Sequence, residues 1–248
     1  QLVAAVLSTA VLFRKMKEID AKDEPVVAFS TEQLVSVLKL SIPSIMQQIC
    51  VAVGHCIIQS IVNGYDTASV AGYEVASKIV NFIYMCFNTL GTALSSFTGQ
   101  NLGAGKKDRI HQGFRASCVI SFLTVFVVVG IIQLFAPNII GLFISSEDPG
   151  YETVLAVGVA FLRIVTFDEF IVSLVIPAGG LMRGLGKVNK FFIATIIDFA
   201  IRVTMSFVLT SALGSINGLF WAWFFGTVPD LILLLIFYRY ECKRGALS

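Results

Sequence analysis

The chain has 248 residues, of which 56% are hydrophobic and only 14% are charged. A soluble domain usually carries roughly 25% charged residues, and one of this length cannot bury so large an apolar share. The composition therefore excludes an ordinary soluble protein, and a net charge of +2 gives no reason to expect a nucleic-acid partner.

The chain begins with a short apolar run, residues 1–13, that is followed directly by Arg14 and Lys15. A membrane-spanning helix needs roughly 20 residues, so this run is too short to cross a bilayer alone. A secretory signal peptide carries its basic residues before the apolar run, whereas here they come after it. We therefore interpret residues 1–13 as the truncated end of a transmembrane helix.

Six longer apolar segments follow, and each is long enough to cross a bilayer as a helix. Turn-forming residues separate them, for example at Asn63-Gly64, Gly103–Gly105 and Gly184–Gly186. Strands are not expected, because the strands of membrane barrels are about ten residues long and alternate in polarity. The sequence predicts an all-α membrane protein with spans at residues 34–62, 68–99, 110–135, 151–181, 191–213 and 218–238.

Basic residues lie on only one side of these segments. All but three of the 18 Lys and Arg flank that side, and the three short loops on the other side contain none. Short loops that are rich in Lys and Arg stay in the cytoplasm. We therefore expect a multi-pass protein of the plasma (inner) membrane with a cytoplasmic carboxy terminus. The three exceptions, Lys78, Arg163 and Arg202, fall inside spans, where ionisable side chains usually face a protein interior or a cavity.

Two spans contain an acid four residues before a base, which is the better orientation for a pair on a helix. Glu74 precedes Lys78 in the second span, and Asp198 precedes Arg202 in the fifth. Such a pair can be purely structural, or it can line a cavity in which the acid exchanges its partner for a cation. We interpret Asp198–Arg202 as the more structural pair, because arginine does not release its proton at ordinary pH.

Asp168 and Glu169 are adjacent in the middle of the fourth span. Adjacent helical residues point about 100° apart, and no base stands at helical spacing to neutralise both. A carboxyl group without a partner at membrane depth favours a proton or a bound cation. We predict that at least one of the two takes part in ion coupling; the alternative is that both pair across helices.

Polar residues on the first and last spans are further candidates. Gln48, His55 and Gln59 recur at spacings of seven and four, so they share one helical face, which should point at other helices or at a cavity. His55 is interpreted mainly as a hydrogen-bonded packing residue. Asp230 follows Pro229 on the last span, and we interpret that position as a helix kink.

The sequence lacks the common nucleotide-binding and catalytic motifs. The glycine-rich run Gly99–Gly105 lacks the Gly-Lys-Ser/Thr ending of a nucleotide-binding loop, and neither HExxH nor GxSxG occurs. The five cysteines have no paired spacing, so neither a disulfide framework nor a metal site is expected. We predict a protein that is not an enzyme and has no cofactor; its energy comes from an ion gradient, from a partner, or is not required at all.

Several stretches, in order along nearly the whole chain, resemble one transporter family. The most specific is Gly99-Gln-Asn-Leu-Gly-Ala-Gly-Lys106; the others are Ala76-Ser-Lys-Ile-Val80, Gly91-Thr-Ala-Leu-Ser95, Pro137-Asn-Ile-Ile-Gly-Leu-Phe143, Leu181-Met-Arg-Gly-Leu-Gly186, Arg202-Val203 and Gly218-Leu-Phe-Trp-Ala222. Together they resemble the carboxy-terminal half of the multidrug and toxic compound extrusion (MATE) family.

The resemblance implies twelve helices in two six-helix lobes. Residues 1–13 would then end the sixth helix, residues 14–33 would form the cytoplasmic loop between lobes, and residues 34–248 would form the carboxy-terminal lobe. It further implies efflux of small organic, often cationic, substrates in exchange for sodium ions or protons by alternating access, in a bilayer and together with an amino-terminal lobe that is absent here. Candidate residues for the ion site or the substrate cavity are Asp168, Glu169, Glu74, Lys78, Asp198, Arg202, Gln48 and His55.

The sequence departs from the family pattern at two acidic positions. Some members carry an acid on the seventh helix, where this chain has Gln47–Val51, and an aspartate on the tenth helix, where it has Val172. Asp168 lies one turn earlier on nearly the same face and is expected to substitute. Many bacterial members place the essential acid on the first helix, which this chain lacks.

Two other functions fit parts of the pattern. A flippase for lipid-linked saccharides, from the same superfamily, would need a more basic cavity, whereas acids outnumber bases at membrane depth here. A seven-helix receptor would account for seven apolar segments, but the first segment is too short, and the glycine-rich loops argue against it.

Overall fold

The computed structural model describes residues 6, 7, 9–14, 30–147 and 150–243, and within these ranges it contains helices and no strand. Residues 9–14 are helical and lie in one compact unit, which ends at Leu38; the rest of the described chain forms a second unit from Lys39 onward. Six long helices follow: α1 (Thr31–Val62), α2 (Thr67–Gly103), α3 (Lys107–Gly141), α4 (Tyr151–Gly184), α5 (Val188–Leu213) and α6 (Asn217–Lys243).

These helices confirm the six predicted segments, and each helix is longer than its predicted segment. The largest difference is in α3, which continues through Pro137 to Gly141, where the sequence indicated a loop. Proline lacks an N–H, but Leu142 still donates to the carbonyl of Asn138, so the helix closes beyond it. Residues 1–5, 8 and 15–29, including most of the expected loop between lobes, lie outside the described residues.

Glycines end several helices at the turns that the sequence indicated. Gly105, Gly186 and Gly214 have φ of 69°, 71° and 57°, a left-handed backbone conformation that residues with a Cβ rarely adopt.

At the start of α2, Asp66 accepts hydrogen bonds from the backbone N–H and the hydroxyl of Ser69, at 3.0 and 2.6 Å. Both hydrogen bonds lower the pKa of Asp66 below its ordinary value, and the bond from the hydroxyl contributes more than the bond from the N–H.

Helix α4 lies at the centre of the bundle and contacts α2, α3, α5 and α6. Its crossing with α2 depends on residues without side chains. A Cβ on Gly72 would lie 2.6 Å from the carbonyl oxygen of Val154, and one on Gly180 would collide with the backbone of Gly91. The two backbones therefore touch along their length, as small residues permit in membrane helices.

The outer surface of the bundle is apolar. Phe126 and Leu134 of α3 expose 64 and 75% of their surface, and many large apolar side chains on the other helices are also exposed. Four helices, α1, α3, α5 and α6, are long and apolar enough to cross a membrane by length and composition. The protein is thus an all-α membrane protein, and lipid is the solvent that this surface requires.

The ends of α5 and α6 are joined on the basic side of the bundle. Glu241, which is 2% exposed, accepts a hydrogen bond from the ammonium of Lys190 and lies 3.8 Å from that of Lys187. A buried carboxylate with two basic partners fixes the α4–α5 turn against the end of α6.

Loop orientation gives a first testable prediction. A membrane-impermeant thiol reagent should label Ser146→Cys, in the α3–α4 loop, on intact cells, and should label Lys106→Cys only after the membrane is opened. Both positions are exposed. This labelling order is expected because short loops rich in basic residues, such as the α2–α3 turn, usually stay in the cytoplasm. The unsubstituted protein serves as the control for its five native cysteines. Labelling in the opposite order would show that the orientation is reversed.

Candidate functional site

A cavity of about 280 Å³ opens among five of the six helices. Its wall is apolar on α4, where Val172 and Ile176 contribute, and polar on α5 and α6. The polar and aromatic lining residues are His55, Asn81, Tyr84, Asn88, Asp198, Arg202, Trp223, Thr227 and Asp230.

Arg202 is the only basic residue on this wall, apart from the His55 ring, and it is 4% exposed. Its Nη2 donates to both oxygens of Asp198, at 2.8 and 3.0 Å, and its Nε donates to Oδ1 at 3.2 Å. The guanidinium also stacks 4.5 Å from the ring centre of Trp223. The predicted pair therefore exists, and it is buried rather than exposed to lipid, where an isolated charge would be costly.

A hydroxyl group connects this pair to Asp168. Nη2 of Arg202 also donates to Oγ1 of Thr227 at 3.2 Å, and that hydroxyl lies 3.0 Å from Oδ2 of Asp168. It also lies 2.9 Å from the carbonyl oxygen of Trp223. Because a hydroxyl has one proton to donate, Thr227 can serve only one of these two acceptors fully at a time.

Gly226 allows α6 to approach the ion pair. A Cβ at this position would collide with Oδ1 of Asp198. The absence of a side chain thus lets the Thr227 hydroxyl, one residue further on, reach between Arg202 and Asp168. Close backbone approach of this kind is a usual reason for glycine in a packed membrane helix.

Acidic groups exceed basic groups in this interior. Asp168, Glu169, Asp198 and Asp230 expose 0, 1, 6 and 5% of their surface. Within the described residues, Oδ1 of Asp168, both oxygens of Glu169 and Oδ1 of Asp230 have no hydrogen-bond partner. Buried polar atoms normally do have partners, so a proton or a bound cation on these carboxyl groups would supply what the described side chains do not.

The predicted site residues separate into two groups. Asp198, Arg202 and His55 line the cavity, and Asp168 reaches it through Thr227. The His55 ring packs edge-on against Phe199, with centroids 5.5 Å apart, and the residue is exposed. Glu169 is buried on α4 but does not line the wall.

The remaining predicted residues lie elsewhere. Gln48 is exposed, and its neighbour Gln47 is the residue that turns inward, donating to Oγ1 of Thr195 at 3.2 Å. Glu74 and Lys78 form no ion pair within the described part of the chain, contrary to the helical spacing. Lys78 is exposed and lines a separate groove between α2 and α3.

Sequence analysis missed Thr227 and Trp223, and it gave Asp230 a smaller role than its place on the cavity wall indicates. The carboxyl group after Pro229 was the only signal for Asp230. Thr227 and Asp168 are separated by 59 residues, and no spacing rule connects them.

A buried ionic cluster inside a lipid-facing helical bundle indicates a membrane protein with a functional interior rather than a soluble binding domain. The MatE family model matches residues 43–208, and the chain belongs to this family of MATE transporters. The resemblance that the sequence motifs indicated is therefore confirmed, which favours a transporter over a receptor.

Two named relatives illustrate the similarity. The probable multidrug resistance protein YoeA of Bacillus subtilis (strain 168) is 24% identical over 99% of this chain and 53% of that protein. The probable multidrug resistance protein NorM of Pseudomonas putida is 24% identical over 72% of this chain and 39% of that protein. The chain thus spans about half the length of these relatives or less.

Solved structures agree on the fold. A MATE crystal structure in complex with MaL6 superposes with a TM-score of 0.84 at 18% identity, covering 98% of this chain and 55% of that one. A MOP superfamily transporter from Pyrococcus furiosus superposes with a TM-score of 0.76 at 16% identity, covering 85% and 45%. The six helices are therefore one lobe of the MATE fold.

Proposed function

We propose that this chain is the carboxy-terminal lobe of a secondary-active exporter, which moves small organic cations out of the cell in exchange for sodium ions or protons. The observation that carries the proposal is the excess of buried acid: four carboxyl groups lie in the interior with one guanidinium. An isolated buried charge is too costly to remain uncompensated, so protons or cations must accompany these acids.

Asp168 is the proposed coupling residue. When it is ionised, the Thr227 hydroxyl donates to its Oδ2 and accepts from Arg202, so the three groups form one chain. When Asp168 takes up a proton or a cation, it needs this hydrogen bond less, and Thr227 can turn to the carbonyl of Trp223. Occupancy of Asp168 is thereby coupled to the contact that α6 makes with Arg202.

Asp198 and Asp230 give the cavity its preference for positively charged substrates. Both lie on the wall, and of these two acids only Asp198 accepts hydrogen bonds from Arg202. The Trp223 and Tyr84 rings on the same wall offer the aromatic faces that organic cations favour. Alternating exposure of such a site requires a second lobe, as the relatives' greater length supports.

A transport assay with the full-length protein tests the proposal. Reconstituted in liposomes, it should move a lipophilic cationic dye when a sodium or a proton gradient is imposed. An ionophore that dissipates the effective gradient should stop transport, because that gradient is the proposed source of energy. Protein-free liposomes are the control. Movement of a lipid-linked saccharide without dye transport would support the flippase instead and overturn the proposal.

A further inference from the structure

A second concavity, of about 520 Å³, lies between α2 and α3 and is separate from the ion-pair cavity. Its α2 side is a stripe at helical spacing that includes Lys78, Ile79, Phe82 and Cys86. Val128 contributes from α3, and Phe82 exposes 69% of its surface. The stripe follows the helix axes, so the groove runs along the direction in which lipid chains extend.

Lys78 is the one charged residue among those that line the groove. It is the lining residue of α2 nearest the helix N-terminus, and helical side chains lean toward that end. It lies 28 residues before Lys106, which is about 40 Å of helix, more than the ~30 Å hydrocarbon core. The long lysine side chain at this depth extends its ammonium toward the membrane interface opposite the basic loops.

The ammonium of Lys78 has no carboxylate within ion-pair distance in the described part of the chain. Glu74, the helical neighbour that the sequence offered as its partner, does not engage it. An exposed cation at the headgroup level, above an apolar groove that leads toward the midplane, matches a phospholipid in both shape and charge.

We propose that the α2–α3 groove binds an anionic phospholipid from the leaflet opposite the basic loops, with its phosphate at Lys78 and one acyl chain along Ile79, Phe82 and Cys86. The proposal is independent of the transport function. A protein segment from the other lobe is the competing occupant, but an apolar helix would leave the Lys78 ammonium without a partner.

Native mass spectrometry of the purified full-length protein tests the role of charge. Phosphatidylglycerol should bind about fivefold more tightly than phosphatidylcholine, the advantage that one lysine gives near a charged headgroup. Lys78→Gln should erase this difference, and Lys78→Arg should keep it. Arg163→Gln is the matched control, because Arg163 is an exposed cation on α4 that lies 20 residues before Arg183 and outside the groove.

A matched pair on α3 tests the groove itself. Val128 lines the groove, whereas its neighbour Val127 is 58% exposed and does not. Val128→Phe should fill the space and weaken binding of both lipids, while Val127→Phe should leave both unchanged. Melting curves of each variant show whether it remains folded.

Three results would overturn the proposal. Equal binding of the two lipids by the unsubstituted protein would remove the role of charge. Equal effects of Lys78→Gln and Arg163→Gln would show a general surface attraction. Full competition by inorganic phosphate alone would show an anion site that needs no acyl chain.

Discussion

Replacing Asp168 by Asn is expected to reduce gradient-driven efflux by the full-length transporter at least tenfold, with expression and membrane insertion unchanged. Asparagine keeps the size and the acceptor oxygen that Thr227 approaches at 3.0 Å, but it cannot carry a charge. Without a charge at this position, uptake and release of the ion can no longer be linked to substrate movement, and a coupling free energy of only about 1.4 kcal/mol corresponds to a factor of ten. Dye efflux at equal protein level measures the effect.

Two comparisons sharpen this experiment. Glu169→Gln should have a smaller effect, because Glu169 neither lines the cavity nor bonds to Thr227. Glu147→Gln, in an exposed loop, should have none. Parental efflux by Asp168→Asn would remove this residue from coupling and return it to a structural role, with coupling then assigned to the other lobe.

Arg202→Gln is expected to cause the largest loss of stability of any single substitution in the site. The change leaves Asp198, 6% exposed, without the three hydrogen bonds that neutralise it. Breaking a buried pair by removing one partner costs about 3–5 kcal/mol. The melting temperature of the protein in detergent should fall clearly, whereas Arg163→Gln, on the exposed side of α4, should leave it nearly unchanged.

The double substitution Asp198→Asn with Arg202→Gln separates charge from packing. If the cost of Arg202→Gln comes from an unpaired buried charge, the double variant should be more stable than the single one. A double variant that melts at or below the single one would show instead that the stacking of Arg202 on Trp223 and Phe199 carries the stability.

The sequence was sufficient to predict the fold because its two signals are strong and agree. The first signal is the length of each apolar segment, which predicts a span. The second is the glycine at each turn, and Gly105 and Gly186 do lie at helix ends. The extension of α3 through Pro137 was not predictable in the same way. A proline such as Pro137 is compatible with either a helix end or a continued helix. Packing against other helices decides between the two, and the sequence alone does not show that packing.

The site was only partly predictable. The Asp198–Arg202 pair is a neighbour relation on one helix, which spacing reveals. Glu74–Lys78 has the same spacing but forms no ion pair in the described part of the chain, so spacing alone does not decide whether a pair forms. The Thr227 bridge depends on how α4, α5 and α6 pack, and one sequence without its tertiary contacts does not contain that information.

The glycine contacts between α2 and α4 have a mechanical consequence. Gly184 approaches the Ser95 carbonyl as closely as Gly72 approaches that of Val154, with added Cβ atoms 2.6 Å from the oxygen in both cases. Backbones in direct contact at both ends cannot slide or separate without losing packing over their full length. These two helices form the stiff wall of the ion-pair cavity. Any change in its volume that leaves this contact intact must therefore come from the other lining helices, α1, α5 and α6.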